Sequence, residues 1–170
     1  AIIYGGIGMV IGHEMTHAFD GQGARFDKDG NVKNVWTHAD FQRFRAKTGQ
    51  LAALYSSFTV LDTVHVKGAL TLGENTADNG GIAIAYDAFK MTPQGQSTEK
   101  IDGFTPDQRF FLSVARIWRV KTRDAFLRTY VNTNPHSPAM WRVNGPLMNF
   151  EPFYRAFDVK PGDKNYKPED

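Results

Sequence analysis

The pentapeptide His13-Glu14-Met15-Thr16-His17 constrains the fold of this chain more than any other stretch, because its two histidines can act together only on a helix. Positions i and i+4 of an α-helix lie one above the other, so both imidazoles can reach one metal ion. Glu14 lies about 100° further round the helix, where its carboxylate can take a proton from a metal-bound water. A histidine pair on a helix can also be polar surface or a satisfied core site, so the motif needs support from the rest of the chain.

The composition is that of a globular protein, and residues 1–170 are expected to form a single domain. The chain is 41% hydrophobic and 13% aromatic, which is enough for a sizeable core. The net charge is +2 and lysines and arginines form no long run, so a nucleic-acid partner is not expected. The chain has no cysteine. Any zinc must therefore be held by histidine and carboxylate side chains.

The apolar start of the chain, residues 1–11, is interrupted by glycines and runs directly into His13. It is therefore expected to be neither a signal peptide nor a membrane span, but a buried helix or the approach to one. Because the chain begins almost at the metal-binding motif, it looks like a piece excised from a longer protein.

The sequence pattern predicts a mainly α architecture with at most a small β-hairpin. A hairpin is expected at 26–32 from the turn chemistry of Asp29-Gly30, an extended connection at 59–72, a surface loop at 91–103 and an irregular tail from residue 160. Capping residues or apolar spacing predict helices at about 6–19, 37–58, 72–89, 105–118, 123–130, 139–148 and 152–157.

A catalytic zinc site has three protein ligands and a water, so the motif needs a further ligand. An extended HExxHxxGxxH motif would require glycine and histidine where this chain has Asp20 and Gly23. The best candidate is Glu74, at the start of a predicted helix. An acidic residue in the first turn of a helix can also serve only to stabilise the helix dipole.

The residues after Glu74 fit the same interpretation. Asp78 lies one turn further along the predicted helix, where it can accept the distal ring N–H of a liganding histidine. Gly80 and Gly81 weaken the helix intrinsically, which indicates that its backbone closely approaches the helix of the HExxH motif.

Three motifs along the chain together resemble the neprilysin and endothelin-converting-enzyme family of zinc metallopeptidases, which includes bacterial oligopeptidases. They are GGIGMVIGHEMTHAFD at 5–20, LGENTADNGG at 72–81, and His136-Ser137-Pro138 with Arg142. The resemblance spans most of the chain. It implies a thermolysin-like (gluzincin) helical catalytic subdomain, from the C-terminal catalytic portion of a larger metallopeptidase.

The resemblance also implies roles for the residues of the first two motifs. His13, His17 and Glu74 would hold one Zn²⁺ ion, Glu14 would be the catalytic base, and Asp78 would orient a liganding histidine.

Five later or flanking residues would act on the substrate. His136 resembles the histidine that stabilises the transition state, and Arg142 the arginine that binds a substrate carbonyl. Met9, Val10 and Trp118 match positions lining the pocket for the side chain just after the scissile bond. The chemistry suits these roles, because an imidazole can donate to an oxyanion and a guanidinium offers a planar fork of donors. Without the resemblance, His136 could be a loop histidine, Arg142 could pair with a surface acid, and Trp118 would ordinarily belong to the core.

The expected reaction is zinc-dependent hydrolysis of oligopeptides before hydrophobic residues, without a covalent intermediate. The alternative is a zinc-binding helical fragment or interaction module without turnover, but the intact Glu14 favours the enzyme. A periplasmic or secreted location is favoured by the resemblance, and a cytoplasmic one stays open. The family's N-terminal helical domain, against which this chain would pack, and its Asn-Ala edge strand lie outside the sequence. The family's C-terminal tryptophan is also missing, since the chain ends at 168–170.

Overall fold

Helices form most of the computed structural model, which describes residues 1–34 and 36–167; the chain end at 168–170 lies outside them. A π-helical turn, Tyr4–Gly8, leads into the first helix, and β1 (Thr59–Leu61) pairs with β2 (Val64–His65) in an antiparallel hairpin. The helices are α1 (Met9–Thr16), α2 (His38–Ser56), α3 (Leu72–Lys90), α4 (Pro93–Gln96), α5 (Pro106–Ile117), α6 (Asp124–Thr133), α7 (Ala139–Met148) and α8 (Glu151–Phe157). The predicted mainly α fold with at most a small hairpin is confirmed.

Two helices begin where the capping residues of the sequence predict. The Thr37 side chain accepts a hydrogen bond from the Asp40 backbone N–H at the start of α2. At the start of α5, Thr105 and Gln108 form a reciprocal capping box, with Pro106 at the first helical position. These side chains satisfy backbone N–H groups that the first turn of a helix leaves free.

The structure differs from the sequence prediction in three short segments. The hairpin expected at 26–32 is only a single antiparallel bridge between Phe26 and Val32. The two-stranded sheet lies instead within 59–72, where β-branched residues are more frequent. The prediction of a surface loop at 91–103 is wrong over Pro93–Gln96, which form α4. The Thr92 side chain accepts a hydrogen bond from the backbone N–H of Gly95 and caps this short helix.

The central contact of the fold joins α1 to α3. A Cβ atom added to Gly12 would lie 2.8 Å from the carbonyl oxygen of Gly81, and one added to Gly81 would lie 2.7 Å from the backbone nitrogen of His13. The two backbones therefore touch, as the paired glycines predict. This contact brings the first half of α3 directly beside the histidines of α1.

Two apolar clusters hold α3 in place. The larger consists of side chains from α1, α3, α5, α7 and α8, and its buried members include Met9, Ile82, Phe89, Phe110, Phe111, Val114 and Phe153. The smaller is built on Tyr55, Phe58 and Val66, with the Trp141 ring stacked on Phe58 at 4.0 Å between centroids. Since α3 also packs against α1, α2, α4 and α7, its position is fixed from several sides.

One face of the first helical stretch is apolar and exposed. Its side chains recur every four residues and are each 55–73% exposed: Ile3, Ile7, Ile11, Met15 and Phe19. The apolar start of the chain is therefore helical, as expected, but it is buried only on the side of Gly5, Gly6 and Met9. Among the described helices, none has the length and apolar character needed to cross a membrane.

Candidate metal centre

Three side-chain atoms from α1, the turn that follows it, and α3 converge on one point. The Nε2 atom of His13 lies 3.0 Å from Nε2 of His17 and 3.2 Å from Oε2 of Glu74, and His17 Nε2 lies 3.5 Å from that same oxygen. Ligand atoms about 2.0–2.1 Å from a tetrahedral zinc lie about 3.3 Å apart. The triangle therefore has the dimensions of a site for a single ion.

The tautomer of each imidazole is set by the hydrogen bond that its Nδ1 atom makes to a carboxylate. His13 Nδ1 donates to Asp78 Oδ1 at 2.8 Å, and His17 Nδ1 donates to Asp20 Oδ2 at 2.7 Å, because an ionised carboxylate can only accept. Both Nε2 atoms then carry lone pairs, and these face each other. Glu74 Oε2 is also buried, with no described donor in hydrogen-bond geometry.

Three converging lone pairs would repel one another without a cation between them. Two imidazoles and a carboxylate, with the distal ring N–H of each histidine held by a second carboxylate, are a donor set suited to zinc. The residues present therefore fit the metal. The structure brings the three predicted ligands together, although their ligation stays a prediction.

Asp20, which was not predicted as part of the site, is only 4% exposed. Its Oδ1 accepts the backbone N–H groups of Gln22 and Gly23 at 2.7 and 2.8 Å. Burial opposes the ionisation of Asp20, but the hydrogen bonds from His17, Gly23 and Gln22 outweigh it and lower its pKa. Burial likewise opposes protonation of His17, but the hydrogen bond to Asp20 and the charge of Glu74 raise the pKa of that imidazole.

Asp78 is held from the opposite side by Arg142. The guanidinium donates through Nε to Oδ2 at 2.8 Å and through Nη2 to Oδ1 at 2.7 Å, and its carbon lies 4.0 Å from the ring centroid of Trp118. Burial disfavours the charged guanidinium, but the hydrogen bonds and charge of Asp78 outweigh it and raise the pKa of Arg142. The predicted carbonyl-binding arginine is thus also the partner of a fully buried carboxylate.

His136 lies beside the proposed ligand Glu74, with its Nε2 atom 3.1 Å from Glu74 Oε2. The Oδ1 atom of Asn134 accepts both the backbone N–H and the Nδ1–H of His136, each at 2.9 Å. The backbone N–H identifies this atom of the amide as its oxygen, so Nδ1 carries the proton. His136 can therefore donate from Nε2 only as an imidazolium. Asn134 was not predicted as part of the site.

A cavity of about 200 Å³ joins the remaining predicted residues to the metal centre. It is lined by Met9, Val10, His13, Glu14, Trp118, His136 and Arg142. A larger cleft, of about 890 Å³, lies beyond the end of α1 between aromatic residues such as Phe19, Phe26 and Phe44. None of the predicted site residues lines this cleft, so it lies outside the predicted site.

Comparison with known families gives one match over the whole chain. The family described as Peptidase family M13 matches residues 1–170. Among curated proteins, the endothelin-converting enzyme homolog of Locusta migratoria is 40% identical over an alignment 164 positions long, and the match covers 95% of this chain and 22% of that protein. Human endothelin-converting enzyme 1 is 40% identical over an alignment 172 positions long, and the match covers 99% of this chain and 22% of that protein.

Solved structures are similar over the same length. The zinc metalloprotease ZMP1 of Mycobacterium tuberculosis, in complex with an inhibitor, is 43% identical with a TM-score of 0.93, and the match covers 97% of this chain and 26% of that one. PepO from Lactobacillus rhamnosis is 38% identical with a TM-score of 0.85, over 97% and 25% of the two chains. The chain thus spans about a quarter of these structures and about a fifth of the curated relatives. The likeness confirms the predicted fold class.

Proposed function

The chain belongs to peptidase family M13, and from that premise we propose that it is the catalytic portion of a zinc-dependent endopeptidase acting on oligopeptides. The observation that carries the proposal is the convergence of His13, His17 and Glu74, with Glu14 lining the adjoining cavity. A binding module has no need of a carboxylate base beside a metal site with room for a ligand.

The reaction is the addition of water to a peptide carbonyl. Bound zinc would lower the pKa of a water molecule and polarise the substrate carbonyl. Glu14 takes the proton of the attacking water and passes it to the leaving amine. His136, as an imidazolium, donates from Nε2 to the oxyanion that develops on the carbonyl.

The surrounding residues orient these groups and the substrate. Asp78 and Asp20 keep both liganding imidazoles in the tautomer that leaves Nε2 free. Nη1 of Arg142 takes no part in the ion pair with Asp78, so its N–H groups are left to bind a second substrate carbonyl. Met9, Val10 and Trp118 provide the apolar side of the cavity, which favours cleavage before hydrophobic residues.

The exposed apolar face of the first helical stretch fits a catalytic portion that works inside a longer chain. The relatives are several times longer than this chain, and Ile3, Ile7, Ile11, Met15 and Phe19 form a continuous apolar stripe. We infer that the N-terminal helical domain of the parent protein packs on this stripe. A periplasmic or secreted location rests on the family resemblance and stays a prediction.

Replacing the base tests the proposal in the full-length parent protein. Glu14→Gln keeps the shape of the side chain but cannot accept the proton. We therefore expect the rate of peptide cleavage to fall by about 10²–10⁴-fold. Zinc content, measured by mass spectrometry of the purified protein, should stay at one ion per chain. Cleavage is followed with an internally quenched peptide that has a hydrophobic residue after the scissile bond.

The matched control is Glu99→Gln, the same chemical change at an exposed glutamate that does not line the cavity. It should leave both zinc content and cleavage unchanged. Unchanged turnover in Glu14→Gln would refute the role of Glu14. A parent protein that binds zinc but cleaves no peptide would instead support a zinc-binding module without turnover.

A further inference from the structure

A buried side-chain hydrogen bond connects the residue that directly follows Glu74 to the residue that directly follows His136. Asn75 follows Glu74 on α3, and Ser137 follows His136 in the connection between α6 and α7. Both side chains are fully buried, and Ser137 Oγ lies 2.7 Å from Asn75 Oδ1. The bond joins two segments 62 residues apart in sequence. We call Asn75 and Ser137 the clamp.

The direction of each hydrogen bond in the clamp is determined by its neighbours. The Thr71 hydroxyl donates to the carbonyl oxygen of Lys67 at 3.2 Å, so it has a lone pair left to accept from Asn75 Nδ2 at 2.8 Å. The amide therefore presents its oxygen to Ser137, whose hydroxyl must donate. Every polar atom of the Asn75 side chain is satisfied in one orientation, which makes the network rigid.

The clamp is the nearest described hydrogen-bonded tie between the His136 segment and α3. The hydrogen bonds of His136 itself both go to Asn134 in the same segment, and its side chain is 38% exposed. The next tie is the ion pair between Arg142 and Asp78, further along α7 and one turn further along α3. Apart from the direct approach of His136 Nε2 to Glu74 Oε2, the position of His136 relative to α3 would depend on a loop without the clamp.

We propose that Asn75 and Ser137 are positioning residues that hold His136 Nε2 at the metal centre, 3.1 Å from Glu74 Oε2. This inference rests on the proposed function, because it assigns the clamp a role in the same reaction. Neither residue lines the cavity beside the metal centre. Breaking the bond should therefore reduce transition-state stabilisation by His136 while leaving zinc and substrate binding intact.

The test is Ser137→Ala in the full-length parent protein. Displacement of a catalytic group by about 1 Å can cost about 10²-fold in rate, so we expect kcat to fall by about 10–100-fold with KM and zinc content unchanged. Ser137→Cys provides a second variant that fills the same space but donates weakly, and it should lower kcat in the same direction. The matched control is Ser113→Ala, which also removes a buried hydroxyl. The Ser113 hydroxyl donates to the backbone carbonyl oxygen of Ile2 at 2.8 Å. This control should leave kcat unchanged.

A double-mutant cycle separates positioning from general structural support. If the clamp acts through His136, Ser137→Ala should have no further effect on kcat in a His136→Ala background. An undiminished further loss in that background, a parallel loss of zinc, or an unchanged kcat in Ser137→Ala would each overturn the proposal.

A crystal structure of Ser137→Ala provides a readout that does not depend on activity. His136 should move away from Glu74, and an unmoved imidazole would contradict the clamp. If the wild-type parent cleaves no peptide, the proposed function fails, while the position of His136 still decides whether Asn75 and Ser137 hold it.

Discussion

The two histidines of the metal centre are oriented by different parts of the molecule. His13 is buried and donates to Asp78, which lies 65 residues away on α3 and is itself paired with Arg142 on α7. His17 is half-buried and donates to Asp20, three residues later, which accepts the backbone N–H groups of Gln22 and Gly23. One orienting carboxylate therefore depends on the tertiary fold, and the other on a local turn.

Because of this difference, Asp78 and Asp20 should contribute unequally to the stability of the fold. Asp78 and Arg142 are a buried ion pair, so each leaves an unpaired charge if the other is removed. Asp20 is satisfied by neighbours in its own turn, so its loss disturbs few contacts outside that turn. The same substitution at the two positions should therefore have a large effect on stability at one and a small effect at the other, while impairing zinc binding at both.

Asp78→Asn should have the larger effect on stability. Oδ2 of Asp78 accepts from Arg142, and Oδ1 accepts from both His13 and Arg142. An asparagine has only one side-chain oxygen, so it cannot accept at both positions. The guanidinium of Arg142 also stays buried without its counter-charge. We expect the free energy of unfolding to fall by about 3–5 kcal/mol, measured by urea denaturation. Asp107→Asn, in a partly exposed ion pair with Lys90, is the control and should cost at most about 1 kcal/mol. A loss of stability at Asp78 no larger than this control would contradict the comparison.

Asp20→Asn should have the smaller effect on stability but still weaken zinc binding. Its amide oxygen can continue to accept from Gln22 and Gly23, so we expect a change of at most about 1 kcal/mol in the free energy of unfolding. The amide nitrogen would then face Nδ1 of His17 and favour the opposite tautomer, with the proton on the metal-binding nitrogen. Loss of a residue that orients a ligand typically weakens metal affinity by about 10–100-fold. Zinc competition titration checks this, and wild-type affinity would show that Asp20 does not set the tautomer.

The same contrast explains which parts of the site could be predicted from the sequence. His13, Glu14 and His17 follow from helical spacing alone. Glu74 and Asp78 could be proposed because both lie on one face at the start of a helix, although their contact with α1 depends on Gly12 and Gly81 meeting across the interface.

The missed residues depend on contacts that sequence spacing does not show. Asn75 and Ser137 meet only because the His136 segment returns to α3 in the folded chain. Asp20 is nearer in sequence, and its position three residues after His17, before a glycine, was a signal that could have been used.

The fold, too, could be predicted from the sequence only in part. Long helices with capping residues, such as α2 and α5, begin where Thr37 and Thr105 place them. The short α4 and the β1–β2 hairpin were not predicted as such, because a few residues carry too little periodicity to outweigh tertiary contacts. Gly95 in α4, for example, is buried against the carbonyl of Phe89.

The most direct test of the central claim is a crystal structure of the full-length parent protein with anomalous diffraction data on both sides of the zinc absorption edge. We predict one zinc ion, about 2.0–2.1 Å from Nε2 of His13 and of His17 and about 2.0–2.2 Å from a carboxylate oxygen of Glu74. A zinc peak at another place, or a bound zinc that Glu74 does not contact, would contradict the account.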